Sequence, residues 1–285
     1  MAATAATTDL LAAAPRPWKP ASLDPRLYQI GALAGLLGYG LLRLDLEVRS
    51  AYAALILVTV LAAQYVGTRL GGLPAFDPRS ALISGLSLCL LLRTPSPLVA
   101  VAAGVLAVGS KFALKVRGKH VFNPTNFAIV ALLATGQAWV SPGQWGSAAF
   151  FGFLLACLGG LVVNRAARGD VTAAFIATYA GILLGRSAWL GEPMAIPLHR
   201  LQNGALLIFA FFMISDPRTT PDSRAGRVLF AALVALGGAY VQFRLFRTNG
   251  LLWSLAACSP LVPVLDRVLP GARHRWTAGP PWRSA

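Results

Sequence analysis

The chain has 285 residues, of which 56% are hydrophobic and only 12% charged, and its mean hydropathy is +0.64. That composition excludes an ordinary soluble domain. A net charge of +15 would suggest nucleic acid as the partner of a soluble protein; here the basic residues sit in the loops of a membrane protein, so no nucleic acid is expected and the lipid bilayer is the first partner.

Residues 1–25 lack a basic n-region and place Asp9 before their only apolar patch. They read as a flexible cytoplasmic tail, not a signal peptide. Ten apolar spans follow, at 27–42, 51–66, 80–92, 98–114, 122–135, 147–163, 171–184, 201–215, 228–241 and 251–265. The loops between them are short, which predicts one membrane domain over residues 26–266 rather than an anchored soluble domain. Residues 267–285 form a basic cytoplasmic tail.

The third span has 13 residues between Arg79 and Arg93, about 20 Å of helix against a hydrocarbon core of about 30 Å. The eighth, bounded by Arg200 and Asp216, is similarly short. They are the third spans of two sets of five. Ala81-Leu82 precedes Thr125-Asn126 by 44 residues, and Ala205-Leu206 precedes Thr248-Asn249 by 43. Five spans per half is an odd number, so halves at about 26–135 and 147–266 would lie in opposite orientations. The predicted fold is all-α, polytopic, with two inverted five-helix repeats whose third helices are short or broken. In transporter-like folds, paired short segments mark a central binding site.

The tripeptide Asp-Pro-Arg occurs at Asp24, Asp77 and Asp216. Asp suits an N-cap and Pro the first helical position. The motif therefore predicts helix starts at Asp24 and Asp77 and a turn at Asp216. If the N-terminus is cytoplasmic, the tails and inner loops carry 18 of the 25 Lys and Arg and the other loops carry 7, which predicts that both termini are cytoplasmic. Trp18, Trp139, Trp145, Trp189 and Trp276 fall near span ends, as interfacial anchors do.

Candidate solute-pocket residues follow from the short segments. Asp77, Ser80 and Asp216 flank them; Lys111 is the one charge deep in a span; Asn123, Thr125, Asn126, Asn203, Thr248 and Asn249 are polar groups at matched span ends. Each also has a plainer role, as cap, boundary signal or snorkelling cation. Cys89, Cys157 and Cys258 each stand alone inside a span, and His120, His199 and His274 are the only histidines, so no protein-held metal is expected. All ten Asp and Glu lie at span ends or in loops, which weakens a mid-membrane carboxylate relay. No catalytic residue is assigned.

The stretches FDPRSALISGLSLCLLL, GSKFALKVRGKHVFNPTNFAIVALL, NGALLIFAFFMISDPRTTPDSRAGRVLF and LLWSLAACSPLVPVLDR resemble the NqrB/RnfD family, whose members are the NqrB membrane subunit of the sodium-pumping NADH:quinone reductase and the related RnfD subunit of the Rnf electron-transport complex. The likeness runs from about Tyr28 to Asp266. It is carried by the acidic start of the third span, by Phe122-Asn123-Pro124 before the fifth, and by Phe211-Phe212-Met213 with Asp216-Pro217 closing the eighth. Runs such as WVSPGQWGSAAFF are also similar to a branch of this family found alongside enediyne antibiotic biosynthesis genes. The resemblance implies a ten-helix bundle with an inverted repeat, residence in the bacterial inner membrane, other membrane subunits as partners, and FMN linked through phosphate to a Thr in a D-x-x-S-x-A-T motif between spans five and six.

Here the chain departs from the pattern. Residues 135–147 contain no Asp or Glu, and the one look-alike, from Asp170, has Ala173 in place of the Ser and Ile176 in place of the Thr. No covalent flavin is expected. A non-covalent flavin or quinone would leave no signature and stays open. Three readings remain: a membrane subunit of an electron-transport complex, not catalytic by itself; a stand-alone transporter or channel for an ion or small solute, such as an export component linked to enediyne biosynthesis; and an assembly or anchoring protein.

Overall fold

The computed structural model describes residues 24–43, 49–141, 159–160 and 168–273. Most of both predicted tails and nearly all of the sixth span, with Cys157, lie outside these residues. The first half contains α1 (Pro25–Arg43), α2 (Ser50–Leu70), α3 (Arg79–Leu91), α4 (Pro97–Ala113) and α5 (Pro124–Ala134). The second contains α6 (Gly169–Leu190), a short α7 (Ala195–Leu201), and α8 (Gly204–Ile208), which runs on as a π-helical turn over Phe209–Met213. After α9 (Arg224–Phe243), α10 (Gly250–Cys258) continues through a 3₁₀ turn into α11 (Val262–Val268).

Four helices among the described residues are long and apolar enough to cross a membrane: Ser50–Leu70, Gly169–Leu190, Arg224–Phe243 and Gly250–Val268. Shorter apolar helices cover Arg79–Leu91, Pro97–Ala113, Pro124–Ala134 and Gly204–Met213. The chain is an all-α, multi-pass membrane protein, and both short segments expected from the charge spacing are short helices.

Helix starts follow local chemistry. Ser96 caps α4, Asn123 caps α5 and Ser223 caps α9, each side chain accepting a backbone N–H one turn on; Pro97 and Pro124 occupy first helical positions. The Asp-Pro-Arg motif differs from its predicted role at Asp77, where the helix begins at Arg79. Asp77 Oδ1 accepts the Arg79 N–H at 3.1 Å, and Asp216 Oδ1 accepts the Arg218 N–H at 2.9 Å. At both places the motif is an Asx turn, because a carboxylate two residues ahead of an N–H mimics a backbone turn.

Packing repeats between the halves. α2 lies along α4, α6 lies along α9, and α4 packs on α5 as α9 packs on α10. Small residues allow the approach: a Cβ on Gly250 would stand 2.5 Å from the Gly238 carbonyl oxygen. Two antiparallel ladders of two residues each close the loops. β1 (Leu92–Arg93) pairs with β4 (Trp139–Val140), and β2 (Lys115–Val116) pairs with β3 (Lys119–His120).

Ion pairs fix which helix ends share a surface. Arg26 meets Asp77 at 2.7 Å, Lys119 meets Asp222 at 3.0 Å and Asp266 at 2.8 Å, and Arg227 meets Asp170 at 2.6 Å. The starts of α1, α3, α6 and α9, the β2–β3 turn and the end of α11 therefore lie on one face, here termed the terminal face. At the far face Tyr52 donates to Pro95 O, Thr94 to Gln137 O, and Arg186 pairs with Glu192.

Candidate functional site

The ten residues singled out in the sequence fall into three places. Asp77, Ser80, Lys111 and Asp216 belong to the terminal face. Lys111 is buried, and its Nζ donates to Ser80 Oγ at 3.2 Å; Asp216 and Asp77 are the carboxylates whose charge reaches it. Burial alone would raise the Asp77 carboxyl, but hydrogen bonds from Arg79 and Arg26 outweigh it and hold the group down at about 2. His120, in the β2–β3 ladder, is half-buried. Burial first, and then the charges of Arg218, Lys111 and Lys115, push its pKa down to about 4, so it is neutral at pH 7.

Asn123, Thr125 and Asn126 form a buried brace in the first turn of α5. Asn123 Nδ2 donates to Met213 O at 3.2 Å, Thr125 Oγ1 to Ser84 O at 3.4 Å, and Asn126 Nδ2 to Leu252 O at 3.1 Å. One turn of helix thus ties α3, the π-helical turn and α10 together, across both halves. The π turn explains why acceptors are available there. Its i+5 bonding, as in Ile214 N to Phe209 O, disturbs the usual carbonyl ladder, and Ala210 O instead accepts from Thr172 Oγ1 at 2.9 Å. Asn126 Oδ1 is buried with no hydrogen-bond partner among the described residues.

Asn203, Thr248 and Asn249 line a far-face cavity of about 230 Å³. It lies between the starts of α8 and α10, the end of α9 and Tyr179 midway along α6. Asn203 Oδ1 caps α8, accepting from Ala205 N at 2.9 Å and Leu206 N at 3.2 Å. Asn249 stands in the left-handed region, φ 60°, and makes no side-chain cap. Tyr179 and Phe209 give aromatic walls, and the Tyr179 hydroxyl donates to Gln242 Oε1 at 2.8 Å. Arg200 and Arg247 also line the cavity, and no Asp or Glu among the described residues does.

The expected single pocket is therefore divided, with the α5 brace between its two parts. Thr125-Asn126 and Thr248-Asn249 match in sequence but differ in role. Asn123-Pro124 starts α5 early, which puts Asn126 inside the helix; no proline precedes Asn249, which stands at the N-cap position without a side-chain capping bond. Sequence reasoning passed over Tyr179, Arg200, Gln242 and Arg247; the adjacent polar positions at 242, 244 and 247, closing an otherwise apolar span, were the available signal.

Residues 136–273 match the model of the NQR2, RnfD, RnfE family. That match covers just under half of the chain, from just after α5 onward. The chain is 39% identical over 75 residues to the D subunit of the ion-translocating oxidoreductase complex of Tolumonas auensis, covering 26% of this chain and 21% of the relative. It is 26% identical over 151 residues to the D subunit of the same complex from Citrobacter koseri, covering 52% and 40%. With the corresponding D subunit of Erwinia tasmaniensis it shares 29% over 147 residues, covering 50% and 37%. The matches span a fifth to two-fifths of these relatives' own length. The NQR2, RnfD, RnfE match takes in α6 to α11, and with them the π-helical turn and most of the far-face cavity's lining.

Proposed function

We propose that this chain is the membrane subunit of an ion-translocating electron-transport complex, with its far-face cavity as a site for a non-covalently held flavin or quinone. The observation that carries the reading is that cavity: aromatic walls with polar groups rich in donors, most of it within the segment that matches the NQR2, RnfD, RnfE family model. Ring carbonyls of a flavin or quinone accept hydrogen bonds, and Arg200, Asn203, Gln242 and Arg247 can donate them. At about 230 Å³ the cavity is below the usual range of roughly 300–1,000 Å³ for drug-sized ligands, so it suits a ring system whose tail stays outside. When bound, such a group would accept and pass on electrons. The protein's part is to hold the ring, keep water from its buried side and favour the reduced, more negative state through two guanidinium groups.

The covalent alternative fits poorly, because residues 135–147 contain no Asp or Glu and the Asp170 look-alike lacks both hydroxyl residues. The intact mass is expected to equal the sequence mass apart from terminal processing, while a visible spectrum of the purified protein, with mass spectrometry of released small molecules, shows a flavin or quinone. An FMN-mass adduct on Thr135 or Thr172 would reverse the first expectation. A colourless protein releasing no redox-active molecule would remove electron transport and leave the second reading, a transporter or channel of the enediyne-associated branch.

The same face bearing the termini of the helical unit also carries most of the basic residues, which supports a cytoplasmic assignment for it in a bacterial inner membrane. Reporter fusions are expected to score both termini as cytoplasmic and Ser141 as external. A cytoplasmic signal at Ser141 would overturn the orientation.

A further inference from the structure

A second cavity, of about 170 Å³, opens on the terminal face between the β2–β3 turn and α11, away from the proposed flavin or quinone site. Five charged side chains line it. Lys119 Nζ lies between Asp222 Oδ1 at 3.0 Å and Asp266 Oδ2 at 2.8 Å, and Asp266 Oδ1 accepts the Asp222 N–H at 2.8 Å. Both carboxylates are thus engaged by donors of the protein itself. The remaining two, Arg117 and Arg273, are exposed and have no acidic partner among the described residues. The cavity carries three cations against two anions, with the surplus at its mouth.

The backbone holds this arrangement in an unusual way. Arg117 and Gly118 form the tip of the hairpin with φ of 53° and 74°, and the first of these positions normally takes Asn, Asp or Gly. A long cationic side chain in the left-handed region points to a role beyond turning the chain. Arg273 approaches the same tip, 3.5 Å from where a Cβ on Gly118 would stand. The apolar part of the lining is Val116, Val262 and Pro263, and nearby on α11 Val264 and Val268 are exposed.

We propose that this cavity binds the phosphate group of an acidic phospholipid between Arg117 and Arg273, with the glycerol and first methylenes against Val116, Val262 and Pro263. A guanidinium pair matches phosphate oxygens in geometry and charge. Basic pockets between membrane helices on the cytoplasmic side recognise anionic head groups. A soluble phosphate would present the same chemistry to the two arginines.

The test uses full-length protein in nanodiscs of phosphatidylcholine with one-fifth phosphatidylglycerol, released for native mass spectrometry, and equilibrium dialysis with radiolabelled inorganic phosphate. Wild-type protein is expected to retain phosphatidylglycerol in preference to phosphatidylcholine. The double variant Arg117→Gln, Arg273→Gln retains it about tenfold less, from loss of two charge-assisted contacts. The control Arg49→Gln with Arg244→Gln, both exposed on the far face, changes nothing and shows that two fewer positive charges are not the cause. If inorganic phosphate binds saturably and is lost in the double variant while lipid is not selected, the site stands and its ligand is a soluble phosphate. Equal retention of both lipids without phosphate binding, or binding unchanged in the double variant, overturns the proposal.

Discussion

Gly250→Ala is expected to cut the folded yield to a small fraction of wild type. The new Cβ would stand 2.5 Å from the Gly238 carbonyl oxygen and 3.3 Å from Gln242 N. Both are backbone atoms of α9, so no rotamer change relieves the clash; α9 and α10 must separate. Overpacking of a tight interior commonly costs about 1–3 kcal/mol, occasionally more, and an obstacle made of backbone belongs at the upper end. Separation also pulls Ser254 Oγ from Val234 O, which it reaches at 2.8 Å. Fluorescence-detected size-exclusion chromatography of detergent extracts reads the effect. Gly181→Ala in α6, where a Cβ meets nothing within 4 Å, is the matched control and should run as wild type. A monodisperse Gly250→Ala peak at full yield would show that the contact between α9 and α10 yields to an added methyl group.

Asn123→Ala is expected to lower stability by roughly 1–3 kcal/mol, because one side chain serves two ends of the molecule. Its Oδ1 accepts the Asn126 N–H at 3.1 Å as the cap of α5, and its Nδ2 donates to Met213 O in the other half. Loss of a cap costs about 0.5–2 kcal/mol. Met213 O then keeps the longer bond from the Asp216 N–H at 3.4 Å, and losing the amide donor adds about 0.5–1.5 kcal/mol. Asn123→Ser separates the two effects: serine can cap the helix, but it is too short to replace the amide that reaches Met213. Its thermal midpoint in detergent should fall between wild type and Asn123→Ala. If Ser and Ala variants melt together well below wild type, the cap contributes little and the bond between the halves dominates.

Hydropathy and charge spacing were enough to find α3 and the Gly204–Met213 segment as short helices, because Arg79, Arg93, Arg200 and Asp216 bound them in the sequence itself. The cap at Asn123 was readable too, being set by neighbours a few residues away. The arrangement of the polar residues was not. Asn123, Thr125 and Asn126 reach partners 90, 41 and 126 residues distant, and such pairings depend on how helices rotate against one another. The dipeptide match of Asn126 with Asn249 identified equivalent places in two halves, yet a single proline upstream moved one of them a turn deeper into its helix. The π-helical turn was hidden for the same reason: FAFFM has no local feature that demands it, and the side chains of Thr172 and Asn123 that occupy its carbonyls come from elsewhere.

The Lys119 clamp has a consequence for how the protein is made. Its partners Asp222 and Asp266 follow it by 103 and 147 residues, so at a synthesis rate of about 5–20 residues per second they emerge roughly 5–30 s after it. During that interval Lys119 is a free positive charge in a short loop, of the kind that holds a loop on the cytoplasmic side while later helices insert. Once residue 266 is in place, the same ammonium is enclosed by two carboxylates, with its side chain only 12% exposed. The clamp thus joins the β2–β3 turn to the end of α11, and a ribosome-bound chain halted between residue 222 and α11 would hold Lys119 through Asp222 alone.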